Sequence, residues 1–117
     1  MNKPIHPDAT TFLRKVVTAV IDRPLHSHHP KWGFVYPVNY GCLPGVPAPD
    51  GDELDVYVLN VNVPLRRFTG LCVAVIHRLD DDDDKLVLLP PGQQLSDEDI
   101  RAQTAFQERF FNSVILR

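Results

Sequence analysis

The sequence of residues 69–89, TGLCVAVIHRLDDDDDKLVLL, decides the fold class of this chain. Residues 69–76 form an apolar, β-branched run, residues 86–89 form a second apolar run, and both have the length of a strand. Five consecutive aspartates at positions 80–84 lie between the two runs. The stretch therefore predicts two strands joined by a turn that is rich in carboxylates.

The segments before this pair also favour strands. The alternating sequence DVYVLNVNV at residues 55–63 predicts a third strand, and the β-branched run at residues 16–21 predicts a fourth. Residues 23–50 are rich in Pro, Gly and His, a composition that favours a long ordered loop or short strands over a helix.

Two helices are predicted, one near each end of the chain. The first starts at Pro7 and Asp8 and is expected to point four apolar side chains inward: Phe12, Leu13, Val16 and Val17. The second starts at the capping-box sequence of residues 96–99 and carries apolar residues at near-helical spacing: Ile100, Phe106, Phe110 and Val114. The predicted fold class is mainly β with α. We expect a small OB-like antiparallel β-barrel with a short N-terminal helix and an amphipathic C-terminal helix that ends the chain.

The composition is that of a globular protein with one core. The 117 residues, of which 44% are hydrophobic, suit a single domain that we expect to span residues 1–117. No apolar run is long enough to cross a bilayer, and the N-terminus lacks the apolar segment of a secretory signal. Because Cys42 and Cys72 are the only cysteines, no disulfide framework is expected, and a reducing cytoplasm is the predicted location.

The acidic residues are concentrated in two short segments. Nine of the 15 Asp and Glu residues lie in residues 50–55 and 80–84, which argues against a nucleic-acid surface, since that needs clustered Lys and Arg. In the first segment, DGDELD, carboxylates held close together would raise one another's pKa, and a divalent cation would remove that conflict. Mg²⁺ suits such an open group of oxygen ligands. A solvated turn without a ligand is the alternative, whereas an EF-hand fits poorly because the ligand series of its loop is missing.

Three basic residues stand beside the aspartate run or in the Pro-rich loop: Arg23, Lys31 and Lys85. A site that combines metal-binding carboxylates with a few cations is suited to phosphate esters or anhydrides, because metal and cations both neutralise a transferring phosphoryl group. For each basic residue taken alone, a surface role is the alternative.

Three motifs follow one another along the chain. They are YPVNYG at residues 36–41, DGDELD at residues 50–55, and the aspartate-rich turn that ends in Lys85-Leu-Val. In this order and spacing they resemble the soluble inorganic pyrophosphatases of the Mg²⁺-dependent, single-barrel class.

The resemblance implies a set of metal ligands in both acidic segments: Asp50, Asp52, Asp55, Asp80 and Asp83, with Asp84 as an alternative to Asp83. Asp52 would also orient or deprotonate the attacking water. Upstream, Asp22 stands at the position of an acidic residue that is usually a Glu in the family.

The resemblance also implies phosphate-binding residues. Lys85 would hold the leaving phosphate, Lys31 matches a phosphate-binding lysine, and Tyr40 is the tyrosine of the YPVNYG motif. Arg23 would replace an arginine that the family carries on a hairpin before this motif, a hairpin that the present sequence lacks. The family's C-terminal helix also offers a Tyr-Lys pair, but here residues 109–112 read RFFN.

The function implied is Mg²⁺-dependent hydrolysis of inorganic pyrophosphate to two phosphates by direct attack of a metal-activated water, with Mn²⁺ as an alternative ion. Because the missing hairpin opens one wall of the pocket, another phosphoanhydride or phosphate ester is an alternative substrate, and a catalytically weak metal- or phosphate-binding relic is a third interpretation. His26, His28 and His29 lie where the hairpin would be, and they either bind a transition metal or phosphate or are plain loop residues. The resemblance implies a homo-oligomer, and no nucleic-acid or membrane partner is expected.

Overall fold

A computed structural model describes residues 8–48, 51–81 and 83–117. Pro7 and Asp50, both singled out above, lie outside the described residues. Within the described ranges the chain forms a 3₁₀ turn, one α-helix and six strands: the turn is Ala9–Phe12, the helix α1 is Asp97–Glu108, and the strands are β1 Val16–Arg23, β2 Asn39–Pro47, β3 Glu53–Val58, β4 Arg67–Arg78, β5 Asp84–Leu89 and β6 Ser113–Leu116. None of the helical segments described is both long enough and apolar enough to cross a membrane.

The strands close into a barrel, as predicted. They pair in the order β1-β2-β3-β5-β4-β6, and an additional pairing of β1 with β4 completes a ring of five strands. The long strand β4 pairs with β1 through residues 67–71 and with β6 through residues 75–78. One pairing departs from the predicted antiparallel pattern, since β3 and β5 run parallel and place Asp55 beside Lys85. The chain makes this parallel pair because β4 carries it back across the barrel before β5 begins.

Two apolar clusters hold the fold together. The first fills the barrel with side chains from all five ring strands, among them Ala19, Leu43, Val56, Val75 and Leu86. The second lies on the outer side of the wall made by β3, β5 and β4, where Tyr57, Ile76, Val87 and Leu89 pack with Ile100 of α1. Because β5 is covered on both sides, its apolar run needs no alternation with polar residues.

The C-terminal helix begins where predicted but ends earlier. The Ser96 hydroxyl accepts a hydrogen bond from the Asp99 N–H at 3.1 Å, which caps the helix as expected. The prediction that the helix continues to Val114 and ends the chain is wrong, because α1 stops at Glu108 and Val114 lies on β6 opposite His77. The β-branched end of the chain completes the edge of β4, a partner that helical spacing cannot reveal.

The N-terminal helix is also shorter than predicted. It is the 3₁₀ turn Ala9–Phe12, which the Asp8 side chain caps by accepting from the Thr10 N–H at 2.9 Å. Phe12, Leu13 and Val17 pack against the barrel core as expected. Val16 does not, because it begins β1 and is 63% exposed.

Gly41 of the YPVNYG motif brings β1 and β2 unusually close together. It pairs with Ile21 of β1, and a Cβ at this position would overlap the carbonyl oxygen of Val20. A side chain would therefore force the two strands apart. The close approach fixes how β1, which carries Asp22, lies beside β2, which carries Tyr40.

Candidate active site

Lys85 is the centre of the candidate site. The parallel register of β3 and β5 sets it beside Asp55, and its Nζ lies 2.7 Å from Asp55 Oδ2 and 3.1 Å from Asp83 Oδ2. The side chain is buried. Burial acts to lower the pKa of the Lys85 ammonium, but Tyr40, Asp55 and Asp83 outweigh burial and raise that pKa above its ordinary value. Lys85 is therefore a fixed positive charge that two carboxylates hold in place.

Tyr40 lies over this charge as a neutral hydrogen-bonding group. Its ring centroid is 5.6 Å from Lys85 Nζ, and its ring also packs against Tyr57 with the centroids 5.0 Å apart. Burial raises the pKa of the Tyr40 phenol, so the hydroxyl keeps its proton at neutral pH and can donate it in a hydrogen bond.

Three carboxylates and one thiol on three neighbouring strands form what we call the carboxylate edge. The carboxylates are those of Asp22, Glu53 and Asp55, and the thiol is that of Cys42. Cys42 pairs with Asp55 between β2 and β3, and its Sγ is 3.9 Å from Glu53 Oε1. Burial raises the pKa of Asp22, with smaller contributions in the same direction from Asp55 and Glu53, while Arg23 opposes the shift. Burial together with these three carboxylates raises the pKa of the Cys42 thiol to about 11. At this edge, burial therefore disfavours the charged forms of Asp22 and Cys42.

Asp52 lies at the entrance to β3, immediately before Glu53. It is exposed, and its carbonyl accepts a hydrogen bond from the Ala48 N–H at 2.6 Å. The turn here uses Gly51 with φ of +91°, a conformation that glycine adopts readily. Asp50, the first ligand implied by the motif, falls outside the described residues.

The second acidic segment divides its side chains between two directions. Asp83 is buried against Lys85, whereas Asp84 Oδ1 lies 2.6 Å from His77 Nδ1. Asp80 Oδ2 accepts a hydrogen bond from the Asn112 N–H at 2.7 Å and so fixes the chain between α1 and β6. Of the three residues expected to form the second metal pair, the structure brings Asp83 to Lys85 and gives Asp80 and Asp84 other contacts.

A metal site is not assembled by these contacts alone. Within residues 8–48, 51–81 and 83–117, no three side chains of the His, Cys, Asp and Glu types lie close enough together to hold a metal ion. The carboxylates of Asp55 and Asp83 bind the ammonium of Lys85 instead.

A buried network that sequence reasoning missed connects this centre to α1. Glu108 Oε2 lies 2.7 Å from Arg78 Nη2 and 2.5 Å from the Tyr57 hydroxyl, and Arg78 Nη1 lies 3.8 Å from Asp83 Oδ2. Burial acts to lower the pKa of Arg78, but Glu108 outweighs it and raises that pKa. One sequence signal could have found Glu108: it follows the buried residues Ile100 and Thr104 at four-residue steps, on the face of α1 that packs on the barrel.

A cavity of about 650 Å³ opens beside Lys85, and we call it the aromatic pocket. Most of its lining is aromatic, and three charged or polar side chains complete it: the rings are those of His29, Trp32, Phe34, Tyr40, Phe106, Phe110 and Phe111, and the other three residues are Arg78, Lys85 and Gln107. Trp32 and Phe110 are each 69% exposed. Phe111 covers Arg78, whose guanidinium carbon is 3.7 Å from the ring centroid.

The remaining predicted residues lie in or next to the loop that forms one wall of this pocket. Lys31 Nζ lies 4.7 Å from the Trp32 ring centroid, and Arg23 Nη1 donates to its neighbour's carbonyl, that of Asp22, at 3.0 Å. His29 has a structural role in this loop, since its Nδ1 accepts from the N–H groups of Lys31 and Trp32, both at 3.0 Å.

The other two histidines contribute backbone rather than side-chain contacts to the described loop. His28 forms an isolated bridge with Val35, and His26 has a positive φ of 72° and donates its N–H to the Tyr36 carbonyl at 2.9 Å. These contacts hold the loop in a narrow turn at the position where the family resemblance implies a hairpin.

Comparison with known proteins shows the family and the fold. A family model described as inorganic pyrophosphatase matches residues 13–114 of the chain. The fold is similar to the inorganic pyrophosphatase of Ehrlichia chaffeensis, with a TM-score of 0.66 and 18% identity over 96% of this chain and 89% of that one. The Helicobacter pylori enzyme gives a TM-score of 0.63 and 20% identity over 98% of this chain and 86% of that one. The Coxiella burnetii inorganic pyrophosphatase gives a TM-score of 0.61 and 21% identity over 88% of this chain and 84% of that one. A comparison with curated protein sequences gives no significant match.

Proposed function

Because the chain belongs to the inorganic pyrophosphatase family, we propose that it hydrolyses inorganic pyrophosphate to two phosphates with Mg²⁺ as its cofactor and water as the nucleophile. Family membership supports inorganic diphosphatase activity. We propose Mg²⁺ as the ion and direct attack by water as the mechanism. The observation that carries it is the buried Lys85, which lies between Asp55 and Asp83 and lines the aromatic pocket. A fixed cation of this kind neutralises a departing phosphate without having to reorganise.

The chemistry of the donor set fits Mg²⁺. The carboxylate edge and the preceding turn offer hard oxygen ligands, and burial raises the pKa of Asp22, so a cation bound there would favour the ionised carboxylate. Asp50, Asp52 and Asp55 would hold the ion, with Asp22 and Asp83 as further ligands, and Mn²⁺ is the alternative ion. When bound, Mg²⁺ would polarise the phosphate oxygens and lower the pKa of the attacking water.

The chain's own residues then have separate tasks. Lys85 holds one phosphate, and its two carboxylate partners keep the ammonium from turning away. Tyr40, neutral at working pH, donates a hydrogen bond to a phosphate oxygen. Asp52, which is exposed and immediately precedes β3, orients the water and accepts its proton. Lys31 and Arg23, which lie in or beside the loop before β2, add positive charge on the open side.

Phosphate release from pyrophosphate tests this proposal. The purified chain should release phosphate with Mg²⁺ and lose that activity with a chelator, and Asp52→Asn should lower turnover by about 10²- to 10⁴-fold, the usual contribution of a general base. The matched control is Asp99→Asn, on the exposed first turn of α1, which should leave turnover unchanged. Near-normal turnover of Asp52→Asn would reject Asp52 as the base. A chain that binds Mg²⁺ tightly but releases no phosphate would be the weak relic instead.

We also propose that the chain forms a homo-oligomer in the cytoplasm. Family membership carries this proposal, and the exposed apolar side chains of Val63 (58% exposed) and Leu79 (60% exposed) are available for contacts between copies. Both cysteines are free thiols, which suits a reducing compartment. Light scattering on the eluting protein should give a mass above that of one chain, and a monomer at micromolar concentration would contradict the assembly.

A further inference from the structure

We infer that the aromatic pocket binds the base of a nucleoside 5′-diphosphate, which makes these nucleotides substrates of the site. The inference rests on the proposed function, because the diphosphate group of the nucleotide would take the place of pyrophosphate beside Lys85. Lys85 and Tyr40 line both the proposed phosphate site and the pocket, so the two regions are continuous.

Pyrophosphate alone does not explain the aromatic lining of this pocket. It is charged over its whole surface and has no apolar atoms to remove from water, so aromatic side chains contribute nothing to holding it. Yet the exposed rings of Trp32 and Phe110 and the half-buried rings of Phe34, Phe106 and Phe111 all line one cavity. A nucleobase is the complementary group, since every base has a π-face that stacks on aromatic side chains regardless of sequence.

The charges of the pocket are distributed to suit the same ligand. Arg78 and Lys85 line the pocket together with the rings, and both cations lie near Asp83, at 3.8 Å and 3.1 Å from its Oδ2. Each of the two exposed rings also has a cation over it, with Lys31 Nζ 4.7 Å from the Trp32 centroid and Arg109 Cζ 4.9 Å from that of Phe110. A ligand with an aromatic end and an anionic end meets both parts, and the cavity of about 650 Å³ is of the size that holds such molecules.

The reaction is the one already proposed, carried out on the α–β anhydride. The oxygen of water forms a bond to the β-phosphorus while the bond from that phosphorus to the bridging oxygen breaks. The electron pair of the broken bond remains on the bridging oxygen, which becomes an oxygen of the nucleoside monophosphate. The products are one nucleoside monophosphate and one phosphate, and the proton lost by water passes to Asp52.

The test compares three substrates with the whole chain and Mg²⁺: pyrophosphate, ADP, and methyl diphosphate, which has the same ester-linked anhydride as ADP but no base. We expect ADP to show a KM about tenfold or more below that of methyl diphosphate, the gain that stacking of one base gives. Equal KM values for the two, or no hydrolysis of ADP while pyrophosphate is cleaved, would overturn the inference and leave the proposed function intact.

Two variants and one spectroscopic signal separate the pocket from the hydrolytic site. Trp32→Ala and Phe110→Ala should each lower the ratio of kcat/KM for ADP to that for pyrophosphate by about fivefold or more, whereas Val16→Ala, another exposed apolar position, should leave the ratio unchanged. Trp32 is the only tryptophan, so its fluorescence should change on titration with ADP and stay constant with methyl diphosphate. Binding seen by fluorescence without hydrolysis of any of the three substrates would count against the proposed function while supporting the pocket.

A second copy of the chain could instead cover the two exposed rings. In that case Trp32→Ala would reduce the oligomer mass, and the fluorescence of the unmodified chain would not respond to ADP. That pair of results would overturn the inference.

Discussion

The carboxylate edge and the aromatic pocket meet at Lys85, but the fold builds them in different ways. The carboxylate edge comes from positions on β1, β2 and β3, which backbone hydrogen bonds hold in register. The aromatic pocket comes from the loop before β2 and from the end of α1, which touch mainly through rings, as where Phe34 and Phe106 lie 6.0 Å apart. The sheet therefore fixes the positions of the charged groups, whereas the rings belong to a loop and a helix end that pack on each other through side chains. We conclude that the hydrolytic half of the site is the more constrained, and that substrate range can change through the other half.

The largest effect on stability is expected from the ion pair between Glu108 of α1 and Arg78, which lines the aromatic pocket. Glu108→Ala removes the carboxylate that binds Arg78 and leaves a buried guanidinium without its main partner. The free energy of unfolding should fall by about 3–5 kcal/mol, as measured by urea denaturation. The control is Glu98→Ala on the exposed first turn of the same helix, for which we expect a loss below about 1 kcal/mol. Equal losses for the two variants would mean that this network does not hold α1 on the barrel.

The second effect concerns the group shared by both regions. Lys85→Met removes the ammonium that lies between Asp55 and Asp83, and pyrophosphate turnover per folded chain should drop by about 10²-fold or more. Lys15→Met, at an exposed position, serves as the control. Because the folded-state pKa of Lys85 lies above the ordinary lysine value of 10.5, the charge contributes fully at neutral pH, and its contribution to stability is lost only as the pH rises through the raised value. A variant that keeps more than a tenth of the turnover would contradict the central role of this residue.

Cys42 offers a smaller effect that reports on the carboxylate edge alone. Its thiol, with a pKa near 11, carries less thiolate at pH 8 than a free thiol whose pKa is 9.0, so alkylation by iodoacetamide should be about tenfold slower or more. The rate should rise as the pH approaches 11, and Asp22→Asn should increase it at a given pH because one neighbouring negative charge is gone. Addition of Mg²⁺ should also increase the alkylation rate if the ion binds at the carboxylate edge. Cys72→Ala, which removes the buried second thiol, keeps the assay specific. A rate equal to that of a free thiol would show that the edge is not crowded with charge.

The smallest effect should come from the aromatic side. Phe111→Leu removes the ring over Arg78 but keeps an apolar side chain, so unfolding should become easier by only about 0.5–1 kcal/mol. Phe110→Leu is the matched control, because that ring lies 4.9 Å from the exposed Arg109 and should contribute less. If Phe111→Leu were as damaging as Glu108→Ala, the rings would hold the site as firmly as the sheet does, and the contrast between the two regions would fail.

The parts of the fold that sequence reasoning found are those with a local cause. The β-branched run from residue 16 becomes β1, the apolar run ending at Leu89 becomes β5, and the capping sequence starts α1 at the expected residue. The misplaced elements depend on partners far along the chain. Val114 has an apolar side chain that suits a helix or a strand equally, and the free edge of β4 decides between them.

The candidate site divides in the same manner. Both acidic segments and Lys85 are visible in the sequence because they are motifs of neighbouring residues. The different directions of Asp83 and Asp84 follow from where β5 begins and which side of it faces Asp55, and that requires the parallel register with β3. The pairing of Arg78 with Glu108 joins positions 30 residues apart, and the aromatic pocket joins three separate segments, so neither leaves a pattern in one stretch of sequence.

The close approach of β1 and β2 at Gly41 has a consequence for attempts to redesign this protein. No other residue fits between Gly41 and the Val20 carbonyl without moving the strands, so a randomised library should return functional clones with glycine alone at that codon. Positions 32 and 110, whose side chains are mostly in solvent, carry no such steric restriction. A search for altered substrate preference should therefore keep glycine at position 41 and randomise the aromatic positions around the pocket.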